Sequence, residues 1–191
     1  MSRIDPLATE HGTPAAEAVI VERREIDTVL VHGTAAGVVA GLVLGVTTVV
    51  GTLLAGGSVA DPFRFATALV VGIEALSPDF PVGAALLLGV AIHLSVSAAL
   101  GVAFVGLLAL TYQLSARPWL LAAYGSAFAF AVWEVSFLAA IPSFFPSLSG
   151  HLDLGTQLWN LVAYVGLHGP TLGIYVALVR PGVVGDWRGN D

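Results

Sequence analysis

The chain has no cysteine and no lysine. The first absence excludes disulfides, thiolate metal sites and cysteine nucleophiles. The second leaves arginine as the whole stock of basic residues, seven in all, and no run of them offers a nucleic-acid footprint. Charge of either sign is scarce: 10% of residues are charged and 57% are hydrophobic, with mean hydropathy +0.89. A soluble domain carries about 25% charged residues, so this chain lacks the polar surface to face water on all sides. Catalytic motifs are missing too. There is no GxSxG, no P-loop, no HExxH and no GxGxxG after a strand, so an enzyme is not the expectation.

The few charges are unevenly spread. Nine fall before position 30, while residues 28–60, 80–116 and 154–179 have none and 118–152 have only Glu134. About 20 apolar residues cross a bilayer, and each stretch is long enough. The pattern predicts an all-α, polytopic membrane protein: a bundle of four transmembrane helices over about 29–54, 82–111, 119–141 and 156–179. A polar tail at 1–27 and a short tail at 182–191 flank the membrane domain, residues 28–181. The acidic tail with a long apolar segment after it does not read as a signal peptide. Within it, Glu17 to Asp27 reads as a short surface helix or as solvated chain.

Residues 61–79 are read apart from the spans. Asp61-Pro62 is a helix start, an N-cap followed by proline, and Ser77-Pro78 is a stop. Only Phe65 to Ile73 is free of charge, and nine residues of helix reach roughly 14 Å, half the hydrocarbon core. A half-helix over 62–76, interfacial or re-entrant, is expected. With four spans and the N-terminus inside, Arg3, Arg23, Arg24, Arg117, Arg180 and Arg188 are cytoplasmic and only Arg64 is outside, as the positive-inside rule asks. The expected location is the cell membrane with both termini cytoplasmic.

On the first span Gly33, Gly37, Gly41 and Gly45 recur every fourth residue, with Ala36 and Ala40 beside them. Hydrophobicity cannot drive association inside lipid, and such a strip lets another backbone approach. It is read as a helix-packing face for a partner membrane subunit or for self-association.

Polar groups inside hydrocarbon are costly and must be matched. His93 lies roughly 16 Å down the second span and His168 roughly 18 Å down the fourth, counting 1.5 Å per residue from the outer face; Glu134 lies about 10 Å in. His93 stands in a row of small residues with Ala85, Gly89, Ser97 and Gly101. Asn160, Tyr164, His168, Thr171 and Tyr175 form a polar stripe. In a square up-down bundle the second and fourth spans are diagonal.

The segments HLSVSAALGVAF (93–104) and LVAYVGLHGPTLGIYVAL (161–178) resemble helices of a family of small, uncharacterised archaeal and bacterial four-helix membrane proteins. In that family a histidine is followed by small residues and glycine in two similar helix pairs. The resemblance implies the fold and no activity.

Three functions are compatible with these residues. The first is a non-catalytic membrane subunit or scaffold, docked through the glycine strip. The second is an electron-transfer protein holding haem b between His93 and His168, since imidazoles at one depth suit axial ligation; against it, no arginine other than Arg64 lies near the site to meet the propionates. The third is proton or small-solute movement along Glu134, Tyr164 and His168.

Overall fold

The computed structural model describes residues 14–110 and 117–179. The first part of the N-terminal tail, Tyr112, Arg180 and the C-terminal tail lie outside the described residues. All regular structure among the described residues is helical. Four helices are long and apolar enough to cross a membrane: Val29–Leu54, Val82–Leu110, Pro118–Phe144 and Leu154–Val179. The chain is a four-helix bundle whose sides carry large apolar groups, among them Leu87 (73% exposed), Val70 (71%) and Val46 (65%). Lipid is the solvent such a surface suits.

Helix α1, Pro14–Leu54, is continuous and takes in Glu17 to Asp27, so no separate surface helix forms there. Inside its apolar span Thr47, Thr48 and Thr52 donate their hydroxyls to the carbonyls of Val43, Leu44 and Thr48 at 2.8–2.9 Å. That is how a helix carries hydroxyls through hydrocarbon without leaving them unmet. Gly56, at φ 83°, ends the helix: its N–H bonds the Leu53 carbonyl, and the N–H of Gly57 bonds that of Thr52. Only glycine takes this left-handed position without strain.

Helix α2, Asp61–Val71, is eleven residues long and too short to span. Gly72, at φ 109°, breaks it from a short 3₁₀ turn at Ile73–Leu76, so the half-helix expected over 62–76 is two pieces. Asp61 is the first helical residue and not the N-cap, which is Ala60. Its carboxylate accepts from the Ser58 N–H at 2.7 Å and the Ser58 hydroxyl at 2.6 Å, so it pins the turn before the helix.

Helix α3 is Val82–Leu110 and α4 is Pro118–Phe144. A short α5 (Pro146–Ser149) leads to α6, Leu154–Val179. Asp153 caps α6, accepting from the Thr156 N–H at 2.9 Å and its hydroxyl at 2.8 Å. The helix therefore starts two residues earlier than the apolar run suggested.

Helices α4 and α6 share a feature. Each contains a stretch of π-helix, Glu134–Ala140 in α4 and Tyr164–His168 in α6. Each stretch ends two residues before a proline, Pro142 and Pro170. Proline removes an N–H and crowds the carbonyl one turn back; a widened turn accommodates that loss inside a continuous helix. At Gly169-Pro170 the disturbance that an internal proline causes takes this form.

Packing divides the bundle into two halves. The near end carries Val29, Leu110, Pro118 and Val179; the far end carries Leu54, Val82, Phe144 and Leu154. The near half is solid. The glycine strip of α1 is filled by α3 of the same chain: a Cβ on Gly37 would strike the Ser97 carbonyl, and one on Gly101 of α3 would strike the Gly33 carbonyl. The expected face for a partner subunit is thus taken internally. A second seam joins α4 to α6, where Gly125 meets Gly169 and Gly173 meets the Leu121 backbone. Between the seams Ala36, Ala40, Phe104, Leu121, Leu172 and Val176 form the buried core. The Phe104 and Phe128 rings, 5.4 Å apart, join α3 to α4.

The far half is open. There α2 lies on α3, with the Phe63 backbone against Gly89 and the Thr67 hydroxyl on the Ala85 carbonyl at 3.0 Å. It reaches the end of α4 through Ala68, Ala75, Ile141 and Leu148. By filling the corner between α3 and α4 it holds the two helices apart.

Candidate ligand cavity

The space this leaves is a half-enclosed cavity of about 1200 Å³, bounded by α1, α2, α3, α4 and α6. Its rim carries Asp61, His151, Asp153 and Thr156, and its walls are mainly apolar, with Leu44, Phe65, Leu69, Ile92 and Phe145. Deeper in stand four polar side chains, His93, Ser136, Asn160 and Tyr164. His93 and Tyr164 are eleven and ten residues inside the far ends of their helices, about 15 Å at the helical rise. The cavity therefore ends near the middle of the bundle.

These four groups keep hydrogen-bonding capacity. The His93 Nε2 lies 2.8 Å from the Gly41 carbonyl, and since a carbonyl only accepts, Nε2 carries the proton. In the neutral ring Nδ1 is then an acceptor. Asn160 donates to the Thr156 carbonyl at 2.8 Å, and its amide oxygen accepts nothing among the described residues. The hydroxyls of Ser136 and Tyr164 have no partner among the described residues either. An apolar vessel with a few convergent donors and acceptors is the usual form of a small-molecule site. Here two of the four polar residues, Ser136 and Tyr164, are in the π stretches.

Arg64 is in the cavity wall, 8% exposed. It donates to three carbonyls: Ala75 at 3.2 Å, Ser77 at 2.6 Å and Phe80 at 3.0 Å. The guanidinium fork ties the end of the 3₁₀ turn to the loop before α3. It is committed to the fold and not placed as a propionate partner. On the opposite wall the Trp159 indole covers Gly51 of α1 and donates to the Thr47 carbonyl at 3.2 Å.

The residues singled out from sequence are thus distributed unevenly. His93 and Tyr164 line the cavity, and His168 does not: it is 1% exposed, behind Tyr164, with ring centroids 5.6 Å apart. Neither nitrogen of His168 makes a hydrogen bond among the described residues. The His93 ring is turned onto the Gly41 carbonyl of α1, while His168 is enclosed behind Tyr164 and outside the cavity. A macrocycle held between them needs a shared slot, and the cavity that reaches His93 does not reach His168. The pair does not fit bis-imidazole ligation of haem b.

Glu134 departs furthest from expectation. It is exposed on the outer face of α4 and does not line the cavity, so it is not joined to Tyr164 or His168. Because α4 runs on to Phe144, the carboxyl is ten residues from that end, about 15 Å and deeper than the sequence implied. Sequence reasoning missed Ser136 and Thr48 of the lining. Thr48 carries no readable signal, since its hydroxyl is met by its own helix.

No family model, curated protein or solved structure matches the chain.

Proposed function

We propose that this protein binds a small, uncharged amphiphile in the far-end cavity, as a membrane receptor or carrier for such a solute. The observation that supports the reading most is a set of unmatched groups, His93 Nδ1 and the Tyr164 hydroxyl near mid-membrane depth with Asn160 and Ser136 nearer the far end, in a mainly apolar space of about 1200 Å³. Polar groups in hydrocarbon are costly unless matched, and a ligand with donors and acceptors matches them. Uncharged is the class favoured, because Arg64 is engaged by three carbonyls and the rim carboxylates of Asp61 and Asp153 by Ser58 and Thr156.

With both termini cytoplasmic, as the arginine distribution supports, the cavity faces outward. Passage beyond it would require the near-half seams to part, and the π turns are where α4 and α6 can change register.

The chain's lack of cysteine makes the test clean. Ser136→Cys and Asn160→Cys, in sealed vesicles, are expected to react with a membrane-impermeant maleimide, whereas Val176→Cys in the solid half stays unlabelled. Mass spectrometry of organic extracts should find an amphiphile with wild-type protein that is lost on Asn160→Trp, which fills the cavity. Unreactive cysteines at 136 and 160, or identical extracts from both proteins, would remove the reading.

A further inference from the structure

Along one side of the cavity the side-chain donors are already committed. Thr48 and Thr52, both in the α1 wall, give their hydroxyl hydrogens to the Leu44 and Thr48 carbonyls of their own helix. Trp159 gives its indole N–H to the Thr47 carbonyl, and Asn160 gives an amide N–H to the Thr156 carbonyl. What Thr48, Thr52 and Asn160 keep is lone pairs: a hydroxyl that has donated still accepts, and an amide oxygen accepts only. Thr48 and Asn160 are each six residues inside the far end of their helix, Leu54 and Leu154, about 9 Å at the helical rise. Their helices adjoin at that level, because Trp159 covers Gly51 and bonds Thr47. Thr52 continues the wall toward the rim, where the Asp61 and Asp153 carboxylates add acceptors. From entrance to Asn160 the wall is biased to acceptors. The Ser136 and Tyr164 hydroxyls, which also line the cavity, can act either way.

We propose that the ligand is a hydrogen-bond donor, an amphiphile headed by one or more hydroxyl groups, and that Thr48 and Asn160 select it. The inference rests on the cavity being the ligand site proposed above. A ketone, ester or ether of the same length would cover the Thr48 and Asn160 oxygens without offering them a hydrogen, which costs the desolvation of each. A hydroxyl offers that hydrogen and still accepts from Ser136 or Tyr164. A site built to hydrogen-bond a hydroxyl discriminates strongly against analogues without one. A primary amine also donates, but it is charged at neutral pH. Among the lining residues the carboxylates are at the rim and none is at the level of Thr48 and Asn160, so an ammonium there would be buried unpaired.

The experiment uses the full chain with Ser136→Cys in liposomes and follows its labelling by the impermeant maleimide. The probes are decanol, decyl methyl ether and decylamine, each at the same mole fraction in the lipid. Decanol is expected to slow labelling severalfold, and the ether and the amine to have little effect. Thr48→Val and Asn160→Leu, which remove the acceptors at nearly constant volume, should each narrow the preference for alcohol over ether, and together abolish it. Their labelling rates without probe and their thermal unfolding check the fold. The inference is overturned, with the cavity reading intact, if the ether protects as well as the alcohol, if decylamine protects better, or if the preference survives both substitutions. A cysteine at 136 that labels but that no probe protects overturns it too. A cysteine that does not label removes the cavity reading itself, and this inference with it.

Discussion

Phe137 and Tyr164 meet edge to face, with ring centroids 6.2 Å apart and 80° between their planes. Each belongs to a π stretch, so the two widened turns of the bundle touch one another across the cavity floor. The ring chain continues from Phe137 to Trp133 on one side and from Tyr164 to His168 on the other. It separates the open half from the packed half. The place where the bundle changes from solid to open is also where both helices depart from α geometry, and both departures precede a proline.

If Pro170 causes the widening in α6, its removal should reverse it. Pro170→Ala restores the N–H and relieves the crowding on the carbonyl one turn back, so Tyr164–His168 is expected to tighten into α-helix. That rotates Tyr164 and Asn160 relative to the lower helix. The check is maleimide labelling of Asn160→Cys with and without Pro170→Ala: a severalfold change in rate is expected, and an unchanged rate would place the cause of the π stretch elsewhere.

The two glycine seams make a sharper stability prediction. A Cβ at Gly37 meets the Ser97 carbonyl and one at Gly169 meets the Gly125 carbonyl, backbone that cannot step aside. Gly37→Ala and Gly169→Ala should each destabilise by about 1–3 kcal/mol, the usual range for overpacking. Gly83→Ala, with nothing within 4 Å of its Cβ, should be neutral or stabilising by up to about 1 kcal/mol from helix propensity. Thermal unfolding in one detergent separates the two outcomes.

What could be read in the sequence follows from how local each feature is. Three charge-free runs and a fourth with Glu134 alone mark four spans because length and charge are properties of a single segment. The spacing of Gly33, Gly37, Gly41 and Gly45 marks a packing face for the same reason, yet it could not say that α3 fills it, which depends on how two segments meet. The position of Glu134 needed the register of α4 through a π stretch; the only trace of that stretch in the sequence is Pro142. The cavity had no local signal at all. It arises because α2, too short to span, wedges between α3 and α4 and leaves room beside it.

Arg64 supports that wedge. Its fork spans the Ala75, Ser77 and Phe80 carbonyls, a geometry that a single ammonium cannot reproduce. Arg64→Lys is expected to loosen the segment from Ala75 to Phe80 and to cost about 1–3 kcal/mol for a buried carbonyl left without its donor. Limited proteolysis should detect the change as new cleavage near Ser77, with the spans intact. Equal protease resistance and an equal melting temperature would show that the three bonds contribute little.

Asp153 provides a pH-dependent check on the entrance. The backbone N–H and hydroxyl of Thr156 bond its carboxylate and hold its pKa below the ordinary 3.8. A depressed acid contributes stability that is fully present above its unfolded pKa and is lost as pH falls through the lower folded value. The cap is therefore intact at neutral pH, and its contribution declines only below about pH 4, the ordinary carboxylate range. Asp153→Ala should lower the melting temperature at pH 7 and match wild type more closely as the pH approaches 3, because protonation removes from wild type what the substitution has already removed. Asp153→Asn, itself a good N-cap, should fall between the two at pH 7 and lose no capping contribution with acid. Melting curves of the three proteins from pH 7 down to pH 3 test this, and a gap between wild type and Asp153→Ala that does not narrow with acid would mean that the carboxylate's charge is not what starts α6.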